Sequence, residues 1–206
     1  MKNTNNHDFS TLKEEFISMQ KAYAQDDTLR EQIIILSRDI VKPAKQATYN
    51  AHRGDFNQAK EHLDHAREQI HKAKELLKAS SFHDIGSFRA GLEEYVEGLL
   101  FYHFVLDQKI ISSQECQLDF QLPAEVYICA ISDFTGELIR YAIKQAINNN
   151  TQKVLFIQEI IEEIFGLTQG FNVRSGDLRR KIDSIKYNLS KIEQIVYDLH
   201  IKKVQQ

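Results

Sequence analysis

Helix breakers are almost missing from this chain: 206 residues contain only two prolines and eight glycines, and long stretches carry neither. A sheet protein needs frequent tight turns, and tight turns need glycine or proline. This composition predicts long helices instead. No strand-like alternation bounded by turn residues occurs, and the reading is an all-α single-domain bundle of six or seven helices.

The helical periodicity is readable segment by segment. Residues 1–8 are polar and read as a disordered tail, without the apolar stretch of a signal peptide. From Phe9 to about His52 the apolar positions Phe16, Met19 and Tyr23, then Leu29, Ile33, Leu36, Ile40 and Ala44, follow a helix. Asp26-Asp27-Thr28 with Glu31 resembles a capping box, which would divide this segment into two helices. Pro43 is expected to kink the helix or end a turn nearby. Gly54-Asp55 breaks the chain before a second helix over 55–79. A third spans about 84–109. A linker leads to Pro123, placed as the first residue of a fourth helix running to about 148. Asn148-Asn149-Asn150-Thr151 offers an N-cap for a fifth helix over 152–167. After a Gly170–Gly176 loop, Ser175 or Asp177 is available to cap a last helix to about His200.

The charge balance is −3, so no global basic signature marks a nucleic-acid coat protein, and binding to phosphates requires local segregation of positive charge. The second helix shows such sorting. Lys60, Arg67, His71, Lys74 and Lys78 fall beside its apolar stripe, and Glu61, Asp64, Glu68 and Glu75 fall on the next sector. Two readings stand: a solvated face cross-linked by weak ion pairs, or a basic track that meets phosphates. Cys116 and Cys129 are too few for a disulfide framework or a zinc motif and read as half-buried, reduced thiols. No stretch approaches a membrane span, and a reducing, cytoplasmic location is the default expectation.

The chemistry-bearing positions are Glu94 and Glu97 on the third helix and Asp133 and Glu137 on the fourth. Glu94 and Glu97 share a face roughly opposite Leu92, Val96 and Leu99. On the fourth helix the apolar residues leave only a narrow polar seam of Asp133, Glu137, Arg140 and Lys144. Carboxylates among apolar neighbours are costly unless paired, solvated or bound to a cation. If the two faces meet, four carboxylates converge and call for a divalent ion. Oxygen-only ligands select Mg²⁺ or Mn²⁺, and such an ion activates water for attack on a phosphodiester. Arg140 and Lys144 would then hold phosphate. Taken from spacing alone, an acidic pair of this kind is more often ordinary helix surface. His71 follows Glu68 at the Glu-x-x-His spacing of carboxylate di-iron bundles, but no second copy of that motif exists. His62 and His65 share a face and suggest no more than exposed helical histidines.

Four separated segments resemble one family. Ser132-Asp133-Phe134-Thr135-Gly136-Glu137-Leu138-Ile139-Arg140 resembles the D-[LF]-T-G-E-L-[MI]-R segment of Trax-type (translin-associated factor X) members of the translin family. Glu93-Glu94-Tyr95-Val96-Glu97 is similar to their E-Y-[VI]-E segment. Leu36-Ser37-Arg38-Asp39-Ile40 resembles their first helix. Lys186 to Glu193, with Val196-Tyr197-Asp198-Leu199, resembles the last helix shared by translin and Trax. The segments follow the family's order and span nearly the whole chain after the tail.

The resemblance implies a seven-helix translin-like domain over 9–206, assembled into closed octameric barrels with RNA inside. It implies a Mg²⁺-dependent endoribonuclease subunit cleaving single-stranded or nicked RNA, with Glu94, Glu97, Asp133 and Glu137 as catalytic and metal-binding residues. Single-stranded DNA is a further expected ligand. The alternative is a non-catalytic, translin-like binding or scaffold subunit. The expected RNA-binding residues are Arg53, Lys60, Arg67, Lys74 and Arg89, with Arg140 and Lys144 on the seam. Each single-stranded phosphate neutralised would add about 0.7 to the salt slope. The chain departs from the family pattern in having Asn148-Asn149-Asn150 where Gly-Asp is usual. It also lacks an insertion between the third and fourth helices, which fits a homo-oligomer built without a translin partner; the other expected assembly is a hetero-oligomer with a translin-type subunit.

Overall fold

The computed structural model describes residues 9–82, 84–174 and 176–204; the tail expected over 1–8 and the cap expected at Ser175 lie outside the described residues. Six α-helices follow one another: α1 (Ser10–Arg53), α2 (Phe56–Ala79), α3 (Gly86–Asp107), α4 (Ala124–Ile147), α5 (Thr151–Thr168) and α6 (Asp177–Val204), with a 3-10 turn at Ser113–Glu115 before α4. No strand occurs among the described residues. None of the described helices is long and apolar enough to cross a membrane.

Among the described residues six helices form, the lower of the two counts read from sequence and one fewer than the seven the resemblance implies, because α1 is not divided at Asp26-Asp27-Thr28. Thr28 Oγ1 donates back to the Ala24 carbonyl at 2.9 Å, within the helix. The Asp26 carboxylate accepts instead from the Ser81 backbone N–H at 3.0 Å and the Ser81 hydroxyl at 2.5 Å. A tertiary contact thus takes the group that the local pattern assigned to a cap. Pro43 lies inside the continuous helix and is buried. It cannot donate to the Asp39 carbonyl, but the buried Ile40, Ala44 and Ala47 on either side hold the helix in place.

Local chemistry sets the other boundaries. Gly54 adopts φ 82° and its N–H reaches the Ala51 carbonyl, a left-handed C-cap that suits glycine. Asp55 Oδ1 then accepts from the Gln58 N–H and starts α2. Pro123 precedes α4 rather than opening it, its carbonyl receiving the Tyr127 N–H at 3.2 Å. The asparagine run ends α4, and Asn150 stands at the N-cap of α5 as expected, its carbonyl accepting from the Val154 N–H at 3.3 Å. Asn149 takes φ 57° and the Asn150 N–H closes onto the Gln145 carbonyl at 2.9 Å, while the Asn150 side chain makes no cap bond. Asparagine tolerates the left-handed region, which Asn149 uses to end α4.

α1 packs along both α2 and α3, α3 joins α4, and α4 packs on α5 and α6. One core cluster runs through all six helices, from Ile33 on α1 to Ile192 on α6, and includes the buried Phe101, Phe104 and Phe134. Gly91 and Gly98, two helical turns apart on α3, let α1 approach closely. A Cβ on Gly91 would lie 3.3 Å from the Ile40 side chain, and one on Gly98 would lie 3.2 Å from both the Ala44 carbonyl and Thr48 Oγ1. Cys116 and Cys129 are free and buried, and burial pushes both thiols up to about 11.

Candidate functional site

Four helices contribute to one cleft of about 560 Å³. α1 supplies Lys45, Thr48 and Tyr49; α3 supplies Glu94 and Glu97; α4 supplies Ser132, Asp133, Gly136, Glu137 and Arg140; α6 supplies Ser184 and Asn188. Each set is a helical stripe. Residues 45, 48 and 49 are spaced i, i+3, i+4, residues 133, 136, 137 and 140 continue that pattern on α4, and 184 and 188 stand one turn apart. The four carboxylates predicted from sequence therefore line a common space, between helices whose buried faces lock them in register.

The chain's own cations engage three of the four. Lys45 Nζ lies 3.0 Å from Glu94 Oε1. Lys181 on α6 donates to Asp133 Oδ2 and lies 4.0 Å from Glu93 Oε2. His52 Nε2 is hydrogen-bonded to Glu137 Oε2, with Arg140 Nη1 at 3.6 Å from the same oxygen. The His52 ring is buried against Phe101, with ring centroids 4.1 Å apart. Its backbone carbonyl accepts from Lys144 Nζ at 2.6 Å. Farther along the wall, Asn188 Nδ2 donates to Thr135 Oγ1 at 2.8 Å and ties α6 to α4.

The electrostatics separate the acids. Burial alone would raise the Glu137 carboxyl, but the His52 hydrogen bond, the His52 charge and Arg140 outweigh it and hold Glu137 below the ordinary carboxylate value. Glu93 is raised, chiefly by burial, with Lys181 opposing. Glu97 forms no ion pair or side-chain hydrogen bond among the described residues. Burial first, then the neighbouring Asp133, Glu94 and Glu137, push it up to about 8, against a weaker pull from Lys181. Three carboxylates have counter-charges and the fourth has mainly like charges beside it.

Oxygen donors of this kind suit a hard divalent cation, and such an ion would favour the ionised form of Glu97 that burial and its acidic neighbours disfavour. With the side chains as they lie, no three acidic, histidine or cysteine groups among the described residues are gathered closely enough to hold a metal ion. Lysine and histidine engage three of the four carboxylates, and the donor set fits such an ion in chemistry.

The predicted basic residues do not form one surface. Only Arg140 lines the cleft. Lys144 is spent on the end of α1. On α2, Lys60 and Arg67 both pair with Asp64 at 2.9 Å, so the adjacent stripes of opposite charge neutralise each other. Lys74 sits over the Phe120 ring, 4.8 Å from its centroid, and Arg89 bridges Asp84 at 2.7 Å and Glu125 at 3.5 Å, around a second, smaller cleft. Arg53 lies over the Tyr49 ring, 5.6 Å from its centroid, beside the acidic cleft. Sequence reasoning missed Lys45, His52 and Lys181. A signal existed: Lys45, Thr48, Tyr49 and His52 are polar or amphipathic at i, i+3, i+4, i+7 beside the buried Ala44, Ala47 and Ala51, and Lys181, Ser184 and Asn188 stand likewise beside the buried Ile182 and Ile185 on α6.

The sequence matches the translin family over residues 28–203. It is 30% identical to an uncharacterised protein of Methanocaldococcus jannaschii, over 88% of this chain and 85% of that one. It is 25% identical to the translin-associated protein X homolog of Schizosaccharomyces pombe, over 90% of this chain and 87% of that one. Its fold is similar to that of AfC3PO solved in complex with duplex RNA, with a TM-score of 0.81 at 16% identity, covering 93% of this chain and all of that one.

Proposed function

This chain belongs to the translin family, and we propose that it is a Trax-like, metal-dependent endoribonuclease subunit acting on single-stranded or nicked RNA within an oligomer. The observation that carries the reading is the acidic cleft, where Glu94, Glu97, Asp133 and Glu137 line one space and Glu97 stands without a counter-charge. The fold shared with a protein solved on duplex RNA supports an RNA partner. Single-stranded DNA is a second ligand of the same chemistry. The assembly is a homo-oligomer, an octamer by family resemblance, or a hetero-oligomer with a translin-type subunit, and the setting is the cytoplasm.

Glu94, Glu97, Asp133 and Glu137 would hold Mg²⁺ or Mn²⁺, which when bound supplies Lewis-acid stabilisation of the phosphodiester and a more acidic water. His52 fixes the Glu137 carboxylate by its hydrogen bond, so that only one oxygen remains free to turn inward. Arg140, on the rim and largely exposed, is placed to take a phosphate oxygen. Asn188 and Ser184 complete the wall with neutral hydrogen-bonding groups that add no charge.

A second reading has its own support: Lys45, Lys181 and His52 engage three of the four acids, as braces between helices would. In that reading the chain binds nucleic acid without cleaving it. Incubation of a labelled single-stranded RNA with Mg²⁺ or with EDTA, using the parent chain and Glu137→Ala, separates the two. Cleavage that needs Mg²⁺ and disappears in Glu137→Ala supports the nuclease. Salt-sensitive RNA retention without cleavage supports the scaffold and overturns the nuclease.

A further inference from the structure

Of the lysine and arginine side chains that pair with the four acids of the cleft, Lys181 is the least exposed. Its side chain is 33% exposed, against 62% for Lys45 and 59% for Arg140. An exposed ammonium is screened and held loosely, whereas one that enters between two half-buried acids acts at short range with little solvent between. Lys181 contacts Asp133 Oδ2 directly and has Glu93 Oε2 at 4.0 Å. Its register is fixed, because the adjoining Ile182 and Ile185 are buried and α6 runs along α4. The ammonium therefore has two possible seats, one shared with the acid cluster of the cleft and one on an acid outside it.

We propose that Lys181 is an internal counter-ion that competes with the divalent cation for Asp133 and so sets the affinity of the cleft for that ion. The inference rests on the metal reading given above. An ammonium and a divalent ion cannot both be close to Asp133 without mutual repulsion. Binding of the ion therefore requires Lys181 to move toward Glu93, which is already within reach. Without the ion, Lys181 keeps Asp133 from standing in the cleft as an unopposed negative charge. The lysine is a positioning residue in this account. It touches neither substrate nor reacting atoms.

The test is a calorimetric titration of the metal-free full-length protein with Mn²⁺, alongside its thermal unfolding with and without the ion. Lys181→Met keeps the length of the side chain and removes the charge; it is expected to tighten Mn²⁺ binding roughly tenfold. The same variant melts earlier than the parent without the ion and recovers when the ion is saturating. Lys181→Arg retains parental affinity, and Glu93→Gln, which removes the second seat, weakens it. Lys191→Met, an exposed lysine on the same helix, leaves it unchanged. Equal or weaker binding by Lys181→Met, with the parent binding normally, overturns the lysine proposal alone. A parent chain and a Lys181→Met variant that both bind no Mn²⁺ overturn the metal reading together with it.

Discussion

The imidazole of His52, next to the last residue of α1, is hydrogen-bonded to the carboxylate of Glu137 in the middle of α4, 85 residues away in sequence. The ring also packs on Phe101 of α3, so one side chain joins three helices at the wall of the acidic cleft. His52→Ala removes the partner of a half-buried carboxylate and leaves a gap against Phe101. Stranding such a group costs about 2 kcal/mol, and urea unfolding at neutral pH should read a loss of that order. His52→Gln, which retains a donor, should lose less. Equal losses would show that ring packing, not the bond to Glu137, is what matters.

Gly98 and Gly166 should respond to alanine with opposite signs. Gly98→Ala puts a methyl group 3.2 Å from the Ala44 carbonyl and Thr48 Oγ1, and a backbone carbonyl in a buried helix has little room to yield. Overpacking of this kind costs about 1–3 kcal/mol, and because α1 would be pushed off α3 the cleft would open with it. At Gly166 on α5 an added methyl group would meet no atom within 4 Å; alanine there should stabilise by up to about 1 kcal/mol through helix propensity. Paired thermal melts decide both.

The helices and the acidic wall were legible because both are periodic. The apolar stripes of α2 to α6 and the seam of Asp133, Glu137 and Arg140 follow from spacing alone. Capping was less legible, since Asp26 and the asparagine run had two chemically reasonable uses each. Ser81 claims the Asp26 side chain, and Asn149 serves through its backbone. The counter-charges were not legible at all. Lys181 meets Asp133 across 48 residues and His52 meets Glu137 across 85, and no local pattern states such a pairing. On α2 the sorting of charge by sign follows from spacing, but only the rotamers show that Asp64 serves Lys60 and Arg67 together.

Arg140 and Lys144 adjoin on one seam yet should behave differently toward RNA. Arg140 is mostly exposed at the cleft rim, with one acid nearby, and on the proposed function it takes a phosphate. Arg140→Ala should weaken single-stranded RNA binding and lower the salt slope by about 0.7, as filter binding across a salt series would measure. Lys144 is committed to the His52 carbonyl. Lys144→Ala should reduce stability and leave the slope as it was; a drop in slope would assign Lys144 to the RNA instead.

Glu97 makes the stability of the fold depend on pH in a predictable direction. Its carboxyl is raised from an ordinary value of 4.5 to about 8, first by burial and then by Asp133, Glu94 and Glu137. Between those two values the native state holds a proton that the unfolded chain has released, so the native state binds more protons and stability falls as pH rises. Below about 4.5 both states are protonated and Glu97 contributes no difference. Glu97→Gln is neutral in both states and removes the dependence. At one unit for about 1.4 kcal/mol, the variant should exceed the parent by on the order of 3 kcal/mol at neutral pH, with the gap closing toward pH 4. Denaturant unfolding of both proteins at pH 4, 6 and 8 measures it. A difference that stays constant with pH would mean that Glu97 is already ionised in the folded chain. Saturating Mg²⁺ should narrow the gap at pH 8 by stabilising the parent more than the variant, because only the parent can offer a carboxylate at that position. Failure of Mg²⁺ to do so, with the pH slope intact, would leave Glu97 a buried acid and remove it from the metal's ligands.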